Sequence, residues 1–184
     1  MTTGRWRPPA SAPAAVVLTK TVWHQGAVRH DVLRITDPAK YPGRFRRIGG
    51  VGTWYGASSR RAAWAELLRH AEQLRPEDLS PRRVAQVLAQ ELRTLDLTDP
   101  RTAGGLGISA EMLISDDQGD LEDLAEIAQW AARSGWYQAL LVPSAAERDE
   151  CTLVVFPQGM SALRVTSDAV ESMETPQRRR GTAG

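Results

Sequence analysis

Residues 52–68, GTWYGASSRRAAWAELL, pass from the pattern of a strand to the pattern of a helix within a few positions. The aromatic residues near the start predict a short strand over residues 53–57. Ser58 or Ser59 can then cap a helix, and apolar residues at helical spacing extend it from Ala63 to about Leu74. The stretch therefore predicts a strand, a cap and a helix in direct succession, and Glu66 lies on that helix.

The sequence on either side predicts a mixed domain. Strands are predicted over residues 28–35, at Leu95 and Leu97, and over residues 137–142, 152–156 and 162–166. Helices are predicted over residues 109–114 and 120–135, and another begins at Ser80 with a buried stripe of Val84, Val87, Leu88 and Leu92. Prolines and glycines predict a long loop over residues 36–52 and a turn over 98–107. Because we find no internal repeat, we expect one sheet in a single domain over residues 15–169.

The bulk composition excludes several classes of protein. Lys and Arg number 23 against 22 Asp and Glu, so the net charge of +1 gives no basic excess for direct binding of nucleic acid. The single Cys151 cannot form an internal disulfide, and His24, His30 and His70 lack the spacing of metal ligands, so no metal is expected. We see no signal peptide or membrane span, which favours a cytoplasmic protein without membrane contact.

Both ends of the chain are expected to be flexible. Residues 1–14 are rich in Pro and Ala, and residues 170–184 include the basic run Arg178 to Arg180. No Gly-rich run fits a Rossmann or P-loop pattern. A nucleotide would therefore have to bind in some other way.

Polar residues stand in a definite order at the predicted joints between elements. Arg34 lies on a predicted strand, Arg44 precedes Phe in the long loop, and Ser144 follows an apolar strand. Tyr55 follows Arg44 by eleven positions, and Glu66 follows Tyr55 by eleven more. In order and spacing these residues resemble the RES domain family, which is named for Arg, Glu and Ser. The resemblance spans about residues 28 to 157.

The resemblance implies a fold similar to that of ADP-ribosyltransferases, an α+β domain with a central, mostly antiparallel sheet flanked by helices. It implies an enzyme that takes NAD as its substrate and needs no further cofactor. Cleaving the bond between nicotinamide and ribose releases a neutral base from a cation, so no general acid is required. The charge that develops on the ribose is one that a carboxylate stabilises.

The family also implies roles for individual residues. Glu66, Tyr55 and Arg44 would be catalytic, and Arg34, Arg44, Tyr55 and Ser144 would bind NAD. A guanidinium pairs with phosphate through a planar fork of donors, and an aromatic ring attracts a cationic one. The loop between Arg34 and Arg44 is shorter than in many members of the family, which leaves open which phosphate Arg34, Arg44, Arg46 and Arg47 each contact. Without the resemblance, Glu66 is typical of a solvated helix face and the arginines are typical of surface ion pairs. Tyr55 is then typical of a core and Ser144 of a turn.

The implied function is that of a toxin in a type II toxin–antitoxin system, which depletes cellular NAD by hydrolysis or phosphorolysis. An ADP-ribosyltransferase acting on a protein target and a catalytically inactive binding module are the alternatives. The resemblance further implies a cognate antitoxin with a helix-turn-helix part. The sequence leaves open the acceptor of ADP-ribose, the choice between NAD and NADP, the identity of the antitoxin, and whether the chain forms a homodimer.

Overall fold

The computed structural model describes residues 6–69 and 81–172. The strands are β1 Val16–Ala27, β2 Trp54–Ala57, β3 Arg82–Asp96, β4 Ala139–Pro143, β5 Cys151–Val155 and β6 Leu163–Glu171. The helices are α1 Arg60–Leu68, α2 Pro100–Gly105, α3 Ala110–Ile114 and α4 Gln118–Arg133, and a 3-10 helix covers Pro157–Ala162. None of the helices formed by the described residues is long and apolar enough to cross a lipid bilayer.

Five of the strands close into a barrel in the order β1, β2, β5, β4, β3, and β3 pairs again with β1. Strand β6 pairs with β3 beside this ring. The pairing of β3 with β4 is parallel, and the other pairings of these strands are antiparallel. The mixed composition and single domain agree with the sequence prediction. The expected central, mostly antiparallel sheet is present but closed into a barrel, because β1 is long enough to pair with β3 along its length and with β2 at Trp23.

Alternation along the strands separates two cores. Leu141 and Leu153 point into a core that takes residues from all five barrel strands, including the buried Trp54. Leu140 and Val154, on the other face, pack with side chains of α2, α3 and α4. Because successive strand residues face opposite sides, Tyr55 lies on the outer, helix-facing side of the barrel.

The helix predicted from Ser80 was wrong, since residues 82–96 form β3. The chain has a bulge there: Leu18 pairs with Leu92 and Lys20 with Ala89, and Glu91 has a φ of 52°. The Glu91 N–H donates to Thr19 Oγ1 at 3.1 Å. The bulge shifts the alternation of buried residues by one position between Ala89 and Leu92. Before the bulge β3 buries residues on both faces, such as Val84 and Val87, so the apolar spacing imitates a helical stripe. Pairing on both edges of β3 outweighs this local pattern.

The strand predicted over residues 28–35 was also wrong. The strand lies earlier, at Val16–Ala27, and turns follow it. The Asp31 carboxylate accepts a hydrogen bond from the Leu33 N–H at 2.7 Å, and the Arg34 N–H donates to the Asp31 carbonyl at 3.2 Å. This Asp-centred turn competes with extended backbone. The Gly-rich turn predicted over residues 98–107 contains helix α2, which Asp99 caps.

The other predicted elements are present with shifted ends: α1 ends at Leu68, and the short strand expected at Leu95 and Leu97 is the end of β3. Ser59 caps α1 and Ser109 caps α3, each by accepting a backbone N–H. Gly135, with a φ of 73°, follows the end of α4. Strand β6 extends to Glu171, beyond the predicted boundary of the tail, and the run Arg178 to Arg180 lies outside the described residues, as do His70 and Leu74.

The N-terminal segment, expected to be flexible, is tied to the domain at Trp6 and at Pro13, whose carbonyl accepts the Tyr137 hydroxyl. The Trp6 indole N–H donates to the Leu106 carbonyl at 2.9 Å, and the Trp6 backbone N–H donates to Asp123 at 2.9 Å. The Trp6 ring meets Trp130 edge to face at 5.6 Å between centroids. The contacts hold residue 6 against α4.

Candidate active site

A cavity of about 1630 Å³ lies between the long loop over residues 36–52, helix α1 and the first half of α4. Its wall is completed by the outer face of β2, by the loop that follows β4, and by the start of β5. Drug-sized ligands occupy pockets of roughly 300–1000 Å³. The cavity is therefore large enough for a dinucleotide.

Glu66 lines this cavity and accepts a hydrogen bond from the Ser144 hydroxyl at 2.8 Å, Oγ to Oε1. Ser144 is only 7% exposed, and it is not among the residues that line the cavity. Its Oγ also accepts the backbone N–H groups of Ala146 and Glu147, each at 3.2 Å. With its acceptor sites occupied by these N–H groups, the hydroxyl can donate its one proton to Glu66. Ser144 thus holds the Glu66 carboxylate from outside the cavity.

Glu150 holds together the two segments that carry this pair. Its carboxylate accepts the hydroxyls of Ser58 and Ser59, the latter at 2.7 Å, at the start of α1. Its carbonyl accepts the Ser144 N–H at 2.9 Å. The hydrogen bonds from Ser58 and Ser59 lower the pKa of Glu150, so the carboxylate stays charged. No local pattern marks Glu150, because Ser58 and Ser59, the partners of its carboxylate, come from a distant part of the chain.

Arg44 also lines the cavity, and its guanidinium is anchored on several sides. It donates to the Ser115 carbonyl and, at 2.9 Å, to Asp116 Oδ1. Burial and the nearby Arg69 lower the pKa of Arg44, whereas Asp116 and Glu66 act in the opposite direction. Arg44 and the carboxylate candidate Glu66 line the same cavity. Arg44 remains a cation at any physiological pH.

The other three candidate arginines lie in different settings. Arg34 is exposed, sits in a turn and is not among the residues that line the cavity. Arg46 lines it but is buried, where it donates to the Tyr41 carbonyl and to Thr53 Oγ1 at 3.3 Å and so ties the loop together. Arg47 lines the cavity in an ion pair with Glu126. The structure therefore brings Arg44, Arg46 and Arg47 to the cavity and leaves Arg34 outside it.

Tyr55 lies on β2 at the cavity wall. Its hydroxyl is buried and has no hydrogen-bond partner among the described residues. The Arg46 guanidinium carbon lies 5.5 Å from the centroid of the Tyr55 ring, a cation–π distance. One face of the ring thus already has a cation nearby.

His24 lines the cavity, although from the sequence we considered it only as a possible metal ligand. Its Nδ1 lies 2.8 Å from the Tyr55 carbonyl, and its ring stacks on Trp54 at 5.1 Å between centroids. Burial lowers the pKa of His24, so the ring is neutral, with the proton on Nδ1 facing the carbonyl. From the sequence we did not predict His24 as a site residue, because strand β1, on which His24 lies, was not predicted. Among residues 6–69 and 81–172, no group of His, Cys, Asp and Glu could hold a metal ion.

Comparisons with known proteins agree on one family. The family model described as RES domain matches residues 4–175. A probable NAD(+) phosphorylase of Mycobacterium tuberculosis is 41% identical over 147 residues, which cover 80% of this chain and 68% of that protein.

A solved structure supports the fold. The chain superposes with a TM-score of 0.69 on a chain of the crystal structure of the M. tuberculosis MbcT–MbcA toxin–antitoxin complex. The match covers 86% of this chain and 87% of that chain, at 20% identity. At that identity the likeness concerns the fold alone.

Proposed function

This chain belongs to the RES domain family, and we propose that it is an enzyme that cleaves the bond between nicotinamide and ribose in NAD. The observation that carries the proposal is the hydrogen bond from the buried Ser144 to Glu66 at the wall of a large cavity. A carboxylate held in one orientation beside open space is what the cleavage of a cationic glycoside requires. The 41% identity to a probable NAD(+) phosphorylase supports the same substrate.

Glu66 supplies the negative charge that stabilises the oxocarbenium ion forming on the ribose. The leaving nicotinamide becomes neutral as the bond breaks, so it needs no proton. Ser144 acts through Glu66: its hydroxyl donates to Oε1 and keeps the other carboxylate oxygen free to face the sugar. Because Ser144 does not line the cavity, we assign it a positioning role in place of direct contact with NAD.

Arg44 and Tyr55 complete the proposed site. Arg44 lines the same cavity as Glu66 and offers a guanidinium to the phosphates of NAD. Tyr55 presents its ring to the cationic nicotinamide. Arg34, which is outside the cavity, has no role in this proposal.

We propose inorganic phosphate as the acceptor of ADP-ribose, since the relative at 41% identity is a probable phosphorylase. The bond from ribose C1″ to nicotinamide nitrogen breaks, and a bond from the same carbon to a phosphate oxygen forms. Water or a protein side chain as acceptor would use the same first step.

We also propose that the chain is the toxin of a toxin–antitoxin pair. Consumption of NAD in the host cell accounts for toxicity, and the likeness in fold to a chain of a toxin–antitoxin complex supports a protein partner. A helix-turn-helix part in that antitoxin, and a homodimer of the chain, are the finer elements of this proposal. Co-expression with a candidate antitoxin, followed by size-exclusion chromatography with light scattering, tests the complex and the homodimer, and a structure of the complex tests the helix-turn-helix part.

Incubation of the purified chain with NAD, with and without inorganic phosphate, tests the enzymatic proposal. We expect nicotinamide release that depends on phosphate and yields a phosphorylated ADP-ribose, identified by mass spectrometry. Glu66→Gln, which keeps the shape and can still accept the Ser144 hydroxyl, should lose at least 100-fold in turnover. Glu171→Gln is the matched control, because Glu171 pairs with Arg60 of the same helix outside the cavity.

The outcomes separate the alternatives. Release without phosphate dependence would identify water as the acceptor. No release from a folded chain would favour a protein substrate or an inactive binding role. Equal turnover of Glu66→Gln and the parent chain would remove Glu66 from the mechanism.

A further inference from the structure

We propose that Arg69 and Arg44 together bind a phosphate group in the cavity, and that the carboxylate of Asp116 occupies this place when no phosphate is bound. The proposal rests on the proposed function for its substrate class. It adds a binding residue, Arg69, and a resident competitor, Asp116, neither of which the family motif includes.

The geometry brings two guanidinium groups to one carboxylate. Arg44 Nη2 lies 2.9 Å from Asp116 Oδ1, and Arg69 Nη2 lies 2.6 Å from Asp116 Oδ2. Each carboxylate oxygen therefore meets a different arginine, as two oxygens of a phosphate would. All three residues line the cavity.

The two arginines are more buried than the aspartate and have further partners. The side chains of Arg44 and Arg69 are 14% and 16% exposed, against 63% for Asp116. Arg44 also donates to the Ser115 carbonyl, and Arg69 to the Ile114 carbonyl at 3.3 Å. These bonds to the end of α3 would keep both guanidinium groups in place if the carboxylate left. Asp116 lies in the short link between α3 and α4, and because its side chain is exposed, its departure would open no gap in the core.

The charges favour an exchange of ligand. Two partly buried cations share a single charge on Asp116, and Arg69 is among the groups that lower the pKa of Arg44, which reflects their mutual repulsion. A phosphate carries more negative charge and offers more acceptor oxygens than a carboxylate. Arg forks bind phosphate in a bidentate manner. A phosphate would therefore satisfy both arginines better than Asp116 does.

The two arginines lie in the same cavity as Glu66, the residue proposed to stabilise the reacting ribose. Arg69 is the C-cap residue of α1 and follows Glu66 by three positions in helical conformation, so both side chains leave the same face of the helix. The phosphate group would lie beside the Ser144–Glu66 pair. It could belong to NAD itself or to free inorganic phosphate, since both present the same chemistry to the two arginines.

The test measures binding without any need for catalysis. Inorganic phosphate and, separately, ADP-ribose are titrated into the full chain by calorimetry. The variants are Arg69→Gln, Asp116→Asn, and the control Arg60→Gln, an exposed α1 arginine whose partner is Glu171. Thermal unfolding of each variant checks that it is folded.

Loss of a charge-assisted contact should weaken binding about tenfold in Arg69→Gln. Removal of the competing charge should tighten it about threefold to tenfold in Asp116→Asn. Arg60→Gln should match the parent chain. Arg69→Lys, which keeps the charge but not the fork, should fall between the parent and Arg69→Gln.

The two titrations distinguish the sources of the phosphate. Changes confined to inorganic phosphate would assign the pair to the acceptor, and changes confined to ADP-ribose would assign it to the diphosphate of NAD. If Asp116→Asn binds neither ligand more tightly, or Arg69→Gln binds both as well as the parent, the arginines serve only to cap the carbonyls of α3 and the proposal is overturned. If the predicted pattern is seen but NAD is not cleaved, the proposed function fails while the anion site stands.

Discussion

The contact between Ser144 and Glu66 leads to the sharpest prediction, for the variant Ser144→Ala. The variant removes one hydrogen bond to a charged group, for which the typical value is about 1.5–3 kcal/mol. It also leaves the N–H groups of Ala146 and Glu147 without the acceptor that they now share at 3.2 Å. Because Glu66 is partly solvated, we expect the lower part of that range, about 2 kcal/mol in total.

For a chain of this length, 1 kcal/mol shifts Tm by about 2–4 °C, so Ser144→Ala should lower Tm by about 4–8 °C. Glu66 would lose the donor that fixes its orientation, and small errors in the position of a catalytic group can cost a factor of 100. We therefore expect turnover of NAD to fall about 10- to 100-fold. The KM for NAD should stay close to that of the parent, because Ser144 does not line the cavity.

Steady-state nicotinamide release and differential scanning calorimetry measure these effects. The matched control is Ser134→Ala, which also removes a hydroxyl with two hydrogen bonds, to the Ala131 carbonyl at 2.8 Å and from the Trp136 N–H at 3.1 Å, away from the cavity. It should lose stability but not turnover. Unchanged turnover in Ser144→Ala would refute the positioning role, and an unchanged turnover number with a raised KM would show that Ser144 contacts NAD directly.

Three further predictions concern charged and titratable groups. Arg44→Lys should raise the KM for NAD about tenfold, because a point charge cannot reproduce the bidentate fork; unchanged kinetics would move the phosphate-binding role to Arg46. Glu150 has a lowered pKa, so its contribution to stability is complete above about pH 4.5 and is lost as the pH falls through the folded-state value. Glu150→Gln should therefore show a smaller fall of Tm on acidification below that pH, and a Tm profile parallel to the parent's would contradict this. His24 has a pKa lowered by burial, so stability should decline as the pH falls below 6.5. His24→Asn, followed by the same Tm series, should remove that part of the decline, and its persistence would place the titration elsewhere.

Local pattern was sufficient where a segment carries its own signals. The helix α4, with its stripe from Leu121 to Ala131 and Gly135 beyond its end, needs no distant partner to be recognised. The same holds for the caps Ser59 and Ser109, since a serine side chain bonds to N–H groups only a few residues away. Arg44, Tyr55 and Glu66 could be selected from the sequence alone, because the order, types and spacing of residues are properties of the linear chain.

Local pattern failed where long-range pairing decides the structure. Residues 82–96 carry helix-like spacing, yet they form a strand because β1 and β6 pair along both edges and a bulge at Glu91 shifts the buried face. The closure of the barrel depends on β1 meeting both β2 and β3, which are far apart in the sequence.

The sequence by itself determined the family and named the candidate site residues, because an ordered set of side chain types is a one-dimensional property. Only the tertiary structure decided what those residues touch. It placed Ser144 behind Glu66 instead of in the cavity, left Arg34 outside, and brought Arg69 and Asp116 to Arg44. These contacts join positions about 45 to 80 residues apart, as between Arg69 and Ile114 and between Ser144 and Glu66. Such distances are set by strand pairing and helix packing, which no local pattern encodes.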